Sequence, residues 1–153
     1  TQTAWSNKLG WRFEPDAGRK MILVDTSVWI DYLNGNANKF TDKLDSALFN
    51  GEVVIGDLIL LEILQGIKSD KDCKRVKTML SKLDQYEMLG HSAVERCAEN
   101  NRYLRKHGAT IRKTTDVIIA SFCIDNRLPL LFSGRDFLPF VERLGLWSAL
   151  TDA

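Results

Sequence analysis

A chain of 153 residues, 44% hydrophobic and 27% charged, has the size and balance of one folded domain, which excludes disordered, collagen-like and coiled-coil classes. Apolar runs such as Leu58-Ile59-Leu60-Leu61 fall far short of the roughly 20 residues that a membrane-spanning helix needs. Cys73, Cys97 and Cys123 are odd in number and lack a Cys-x-x-Cys pair, so neither a disulfide framework nor a zinc site is expected. With no secretion-type apolar segment near the start, this cysteine usage points to a reducing, cytoplasmic compartment. Net charge is +1, yet residues 67–113 hold twelve Lys and Arg against six Asp and Glu, a local +6 that leaves −5 elsewhere. Such a division suits a cationic face that draws a polyphosphate toward an acidic centre, although two ordinary solvated helices would look the same.

Residues 1–20 show no period, and Pro15-Asp16-Ala17-Gly18 reads as a turn ahead of Met21. Trp5, Trp11 and Phe13 interleave with Lys8 and Arg12, so this extension is expected to be a linker, a cloning remnant or a partner-like peptide that docks on a domain spanning 21–150. From Met21 onward, strand and helix signals alternate. Met21-Ile22-Leu23-Val24 is a strand covered on both faces, and Thr26 or Ser27 caps a helix through Leu33. An amphipathic helix follows at 38–49, then a strand at 52–55 and a helix capped by Asp57 that ends near Gly66. Helices are expected at 70–84 and 91–107 with a short strand at 86–89 between them. Thr114-Thr115 caps a helix through Asp125, and a strand at 130–132 comes after Pro129. This alternation predicts a three-layer α/β/α domain with a central, mainly parallel sheet, whose reactive crevice lies outside the carboxyl ends of the strands.

Four carboxylates have a shared destination in that scheme. Asp25 ends the first strand, Asp116 sits in the first turn of an apolar and therefore buried helix, and Asp136 follows the last strand. Glu62 is the sole acid in Leu58-Ile59-Leu60-Leu61-Glu62-Ile63-Leu64, where a carboxylate costs several kcal/mol unless paired or metal-bound. Each has a plainer explanation: a helix cap for Asp25, a favourable helix dipole for Asp116, a narrow polar stripe with Gln65 for Glu62, a turn for Asp136. Gathered at one sheet edge, however, the four would repel one another and lose charge unless a cation held them, and an all-oxygen set selects Mg²⁺ or Mn²⁺. His91 and His107 are read as surface or capping residues and Cys123 as core, and no phosphate-cradling Gly-rich loop is present.

The ordered set Val24-Asp25-Thr26-Ser27-Val28-Trp29-Ile30-Asp31, Glu62-Ile63-Leu64-Gln65-Gly66, Thr115-Asp116-Val117-Ile118-Ile119-Ala120 and Gly134-Arg135-Asp136-Phe137 resembles the PIN-domain ribonucleases, in particular the VapC-like toxins of toxin–antitoxin pairs. The resemblance covers about residues 21–147. It implies a Mg²⁺- or Mn²⁺-dependent endoribonuclease, homodimeric, that cuts structured RNA such as tRNA or rRNA by hydroxide attack on a phosphodiester and is silenced by a cognate antitoxin. Asp25, Glu62, Asp116 and Asp136 would be the catalytic and metal-holding quartet, with Thr26, Ser27 and Thr115 holding water. Arg112 and Lys113, the cations nearest the acids in sequence, would bind the RNA backbone. Gly134 stands where many relatives carry another acid or Asn. Two other readings stay open: a catalytically silent PIN-like module that binds RNA or protein, and an acidic α/β phosphatase, which would want Asp where this chain has Ser27.

Overall fold

The computed structural model describes residues 20–150. The elements run β1 (Ile22–Val24), α1 (Thr26–Leu33), α2 (Lys39–Phe49), β2 (Val53–Gly56), α3 (Asp57–Gly66), α4 (Asp70–Leu80), β3 (Asp84–Tyr86), α5 (Gly90–Lys106), α6 (Thr114–Asn126), β4 (Leu130–Leu131) and α7 (Leu138–Leu144). All four strands are parallel, in the order β3-β2-β1-β4, and helices flank the sheet. The chain therefore steps outward from β1 to β3 and returns to lie on the far side of β1. That reversal opens a crevice between the carboxyl ends of β1 and β4, the place where open parallel sheets bind ligands. β1, β2 and β4 are buried at every position, as continuous Val, Ile and Leu runs require when both faces are covered. Apart from Lys20, the extension expected at residues 1–20, as a linker, cloning remnant or partner-like peptide, lies outside the described residues.

The sequence placed most elements, with three corrections. The third strand lies at Asp84–Tyr86 rather than 86–89, and α4 stops at Leu80, because Gln85 Nε2 donates to Leu80 O and Leu83 O and turns the chain early. Beyond Tyr86, the Met88 N–H donates to Asp57 Oδ1 at 3.1 Å, so the chain has already left the sheet. Helix α7 was not expected, although Pro139 in its first turn and Gly145 just past its end, at φ 78°, are the usual start and stop marks of a helix. The caps differ as well. Asp25, Gly56 and Lys113 occupy the positions before α1, α3 and α6, none with a side-chain cap bond, so Thr26, Asp57 and Thr114 each begin a helix instead of capping it. His91 is exposed, His107 caps the end of α5 with Nδ1 2.8 Å from Tyr103 O, and Cys123 is buried in the core.

Gly56 ends β2 against the fully buried Met88 side chain, and a Cβ at this position would collide with Met88 Sδ. Gly56→Ala is expected to cost about 1–3 kcal/mol by overpacking, read as a lower urea midpoint. Combined with Met88→Ala, which costs about 2–5 kcal/mol as a cavity, it should cost less than the two single losses added together, and a Gly56→Ala protein as stable as the parent would show that Met88 moves freely. Among the described residues, no helix is long and apolar enough to cross a membrane.

Candidate active site

Asp25 is positioned by the sheet itself. Its N–H donates to Leu131 O at 2.9 Å, joining the end of β1 to β4, and its carbonyl accepts from Val28 and Trp29 N–H to start α1. Because its side chain makes no cap bond, the carboxylate is left to face the crevice, where it accepts a hydrogen bond from Ser27 Oγ at 2.7 Å. One residue on, Thr26 Oγ1 donates to Glu62 Oε1 at 2.9 Å and so ties α1 to α3. Asp116 stands in the first turn of α6 and is only 8% exposed, while Asp136, in the loop after β4, accepts from Arg112 Nη2 at 2.8 Å.

All four acids line one cavity of about 350 Å³, together with Thr26, Ser27 and Lys113. Thr115 does not line it, and Arg112 meets it only through its ion pair with Asp136. No motif in the sequence singles out Ser133, which enters the cavity with the loop after β4, and Gln65 reads there only as the companion of Glu62 on a polar stripe. That stripe faces the cleft: Gln65 lies one turn beyond Glu62 on the same face of α3, and both reach the cavity. Helix α3 buries Ile59 and Ile63 but leaves Leu61 56% exposed, so Glu62 is half-buried and hydrogen-bonded rather than sealed in an apolar helix.

The electrostatics are those of crowded anions. Burial pushes the Asp116 carboxyl up to about 6, and Asp25, Asp136 and Glu62 push the same way against the single opposing charge of Lys113. Asp25 is also raised, chiefly by burial, even though the Ser27 hydroxyl and the Thr26 and Ser27 backbone N–H groups stabilise its charge. Oxygen donors and excess negative charge suit a hard divalent cation in kind. Among the described residues, no three acidic, His or Cys side chains are grouped closely enough to ligate one ion, and Glu62 and Asp136 are each engaged by a neighbour, Thr26 and Arg112.

A parallel sheet whose switch point opens into a cleft lined by four carboxylates defines an α/β domain with an acidic crevice at the carboxyl ends of its strands. Residues 22–140 match the family model described as PIN domain, and the chain belongs to that family. It is 24% identical over 119 residues to the VapC ribonuclease Mb1587 of Mycobacterium bovis, a match covering 76% of this chain and 89% of the relative. Ribonuclease VapC11 of Mycobacterium tuberculosis matches with the same figures. In structure, the chain is similar to a chain from the VapBC2 complex of Rickettsia felis bound to a promoter DNA fragment, with TM-score 0.69, 18% identity, and coverage of 86% of this chain and 99% of that one. It is also similar to a chain of a toxin–antitoxin complex from Klebsiella pneumoniae, with TM-score 0.60, 20% identity, and coverage of 83% and 96%.

Proposed function

We propose that this chain is a VapC-type toxin: an endoribonuclease dependent on Mg²⁺ or Mn²⁺ that cuts structured RNA, tRNA or rRNA, in the cytoplasm. The reading takes residues 21–150 as the catalytic domain, working as a homodimer that a cognate antitoxin silences. The observation that carries it is the meeting of Asp25, Glu62, Asp116 and Asp136 in one cavity, with the Asp116 carboxyl raised by burial and, after it, by its anionic neighbours. Curated relatives named ribonuclease and structural neighbours solved as toxin–antitoxin complexes support it.

A divalent cation bound there would supply Lewis acidity to the phosphodiester and lower the pKa of nearby water. Asp25 and Asp116 would hold it, with Glu62 and Asp136, engaged by Thr26 and Arg112, completing the shell through water. The Ser27 hydroxyl already orients Asp25, and the Thr26 hydroxyl orients Glu62, so both acids are fixed before substrate arrives. Lys113, lining the same cavity, would meet the incoming phosphate, and Arg112 would exchange Asp136 for the RNA backbone. Backbone contacts of this kind weaken steeply as salt rises.

Cleavage of total tRNA and rRNA with Mg²⁺ or Mn²⁺ present should leave 5′-phosphate and 3′-hydroxyl ends and should stop with EDTA. Cyclic phosphate ends would sink the reading, since they mark attack by the ribose 2′-hydroxyl. The Arg112–Asp136 pair favours one competing reading, a catalytically silent RNA- or protein-binding module. RNA that binds but stays intact under every divalent cation would select it.

A further inference from the structure

Opposite the acids, at the amino edge of the sheet, lies a second groove of about 400 Å³. Its walls come from the residues that lead into the strands: Lys20 before β1, Glu52 before β2 and Pro129 before β4. Lys20, Lys43 and Arg127 line it against the single acid Glu52, and among the described residues none of the three cations makes an ion pair. The groove is therefore net positive, whereas the opposite edge is strongly negative.

Two further features set this groove apart from an ordinary basic surface. Trp147 lines it with 56% of its surface exposed, yet its backbone is pinned: Trp147 O accepts from Leu130 N–H at 2.9 Å, and the next residues run beside β4. A large aromatic ring held open on a fixed backbone loses little freedom when something stacks on it. Arg127 is the one non-glycine residue at positive φ among those described, at 52°, directly after α6. Gly or Asn takes that conformation without strain at a helix end, so Arg stands there against the local preference. Arg127 and Trp147 also share the wall of a smaller cavity of about 180 Å³ on their other flank, so the pair projects between two hollows.

We propose that this amino-edge groove binds a single-stranded stretch of RNA, with a base stacked on Trp147 and its flanking phosphates seated among Lys20, Lys43 and Arg127. An aromatic platform beside a cationic track is the sequence-tolerant way to hold single strands. The ligand class rests on the ribonuclease reading of the acidic cleft. The strands are only two to four residues long, so the two edges are separated by roughly 10 Å of sheet, at about 3.3 Å per residue. A folded RNA reaches both, and the groove then tightens substrate binding without touching the scissile phosphodiester.

The test uses the full chain carrying Asp25→Asn, so that RNA survives, and a fluorescein-labelled single-stranded RNA of about ten nucleotides. Trp147→Ala and Arg127→Gly should each weaken binding about tenfold, Trp147→Phe should keep most of the affinity, and Glu52→Gln should raise it. Both of the first two changes suit the fold, since Trp147 is exposed and Gly relieves the backbone at 127. In the otherwise unaltered chain, the same two changes should raise KM for tRNA and leave kcat unchanged. RNA affinity untouched by Trp147→Ala and Arg127→Gly overturns the proposal. So does a loss confined to self-association or to binding an antitoxin, which would mark a protein-docking face. If the distal changes weaken RNA binding in a protein that cleaves no RNA, the groove stands and the nuclease reading alone falls.

Discussion

Replacing Asp116 by Asn is expected to slow RNA cleavage by on the order of a thousandfold, about 4 kcal/mol of barrier, while RNA binds as well as before or better. Asp116 is the most buried of the four acids and the one whose charge the other three oppose, so its carboxylate has the most to gain from a cation. Asn keeps the shape and removes the charge. Binding survives because the amide no longer repels phosphate and Lys113 still lines the cavity. Asp25→Asn should behave alike, since Asp25 is fixed between β1, β4 and the Ser27 hydroxyl. Asp136→Asn should cost least, because Asp136 is more exposed and already shared with Arg112. Single-turnover cleavage of tRNA with saturating Mn²⁺ measures all three. An Asp116→Asn enzyme within tenfold of the parent would remove Asp116 from the chemistry and with it the proposed reading of the cleft.

The sheet edge could be read from residues because parallel strands buried on both faces must be continuous apolar runs, and the residue after such a run is delivered to the carboxyl edge. Asp25 and Asp136 follow from that rule, and Asp116 from the unbroken apolar stretch behind it. Glu62 is only partly legible: sequence shows an acid among leucines, but only packing shows that it lines the cleft, that Leu61 faces outward and that Thr26 reaches across from α1. The caps went astray for a related reason. Ser and Thr at a helix start compete for the backbone in isolation, whereas here Thr26 and Ser27 spend their hydroxyls on carboxylates of the cleft. The amino-edge groove was not legible at all. Lys20, Lys43, Arg127 and Trp147 are far apart in sequence, and no period or motif links them before the strands bring their starts together.

The same Asp116→Asn protein is expected to be more stable than its parent at neutral pH, and the gain should vanish in acid. A folded-state pKa of about 6, against an ordinary 3.8, means that the native protein holds a proton that the unfolded chain has already released between those values. Stability contributed by Asp116 therefore falls as pH rises from about 4 to about 6 and stays low above, by up to about 3 kcal/mol at 1.36 kcal/mol per unit. The favourable field of the α6 N-terminus, about 0.3–1 kcal/mol, is outweighed by burial and by Asp25. Asn escapes the penalty, so its melting temperature at pH 7.5 should exceed the parent's by roughly 5–9 °C, and the two should converge near pH 4. Saturating Mg²⁺ should close the gap from the other side, raising the parent by about 2.7 kcal/mol at a hundredfold excess over Kd and the variant by less. Equal melting at pH 7.5 without cation would mean that the four carboxylates do not strain one another, and a cation would then have no electrostatic reason to settle among them.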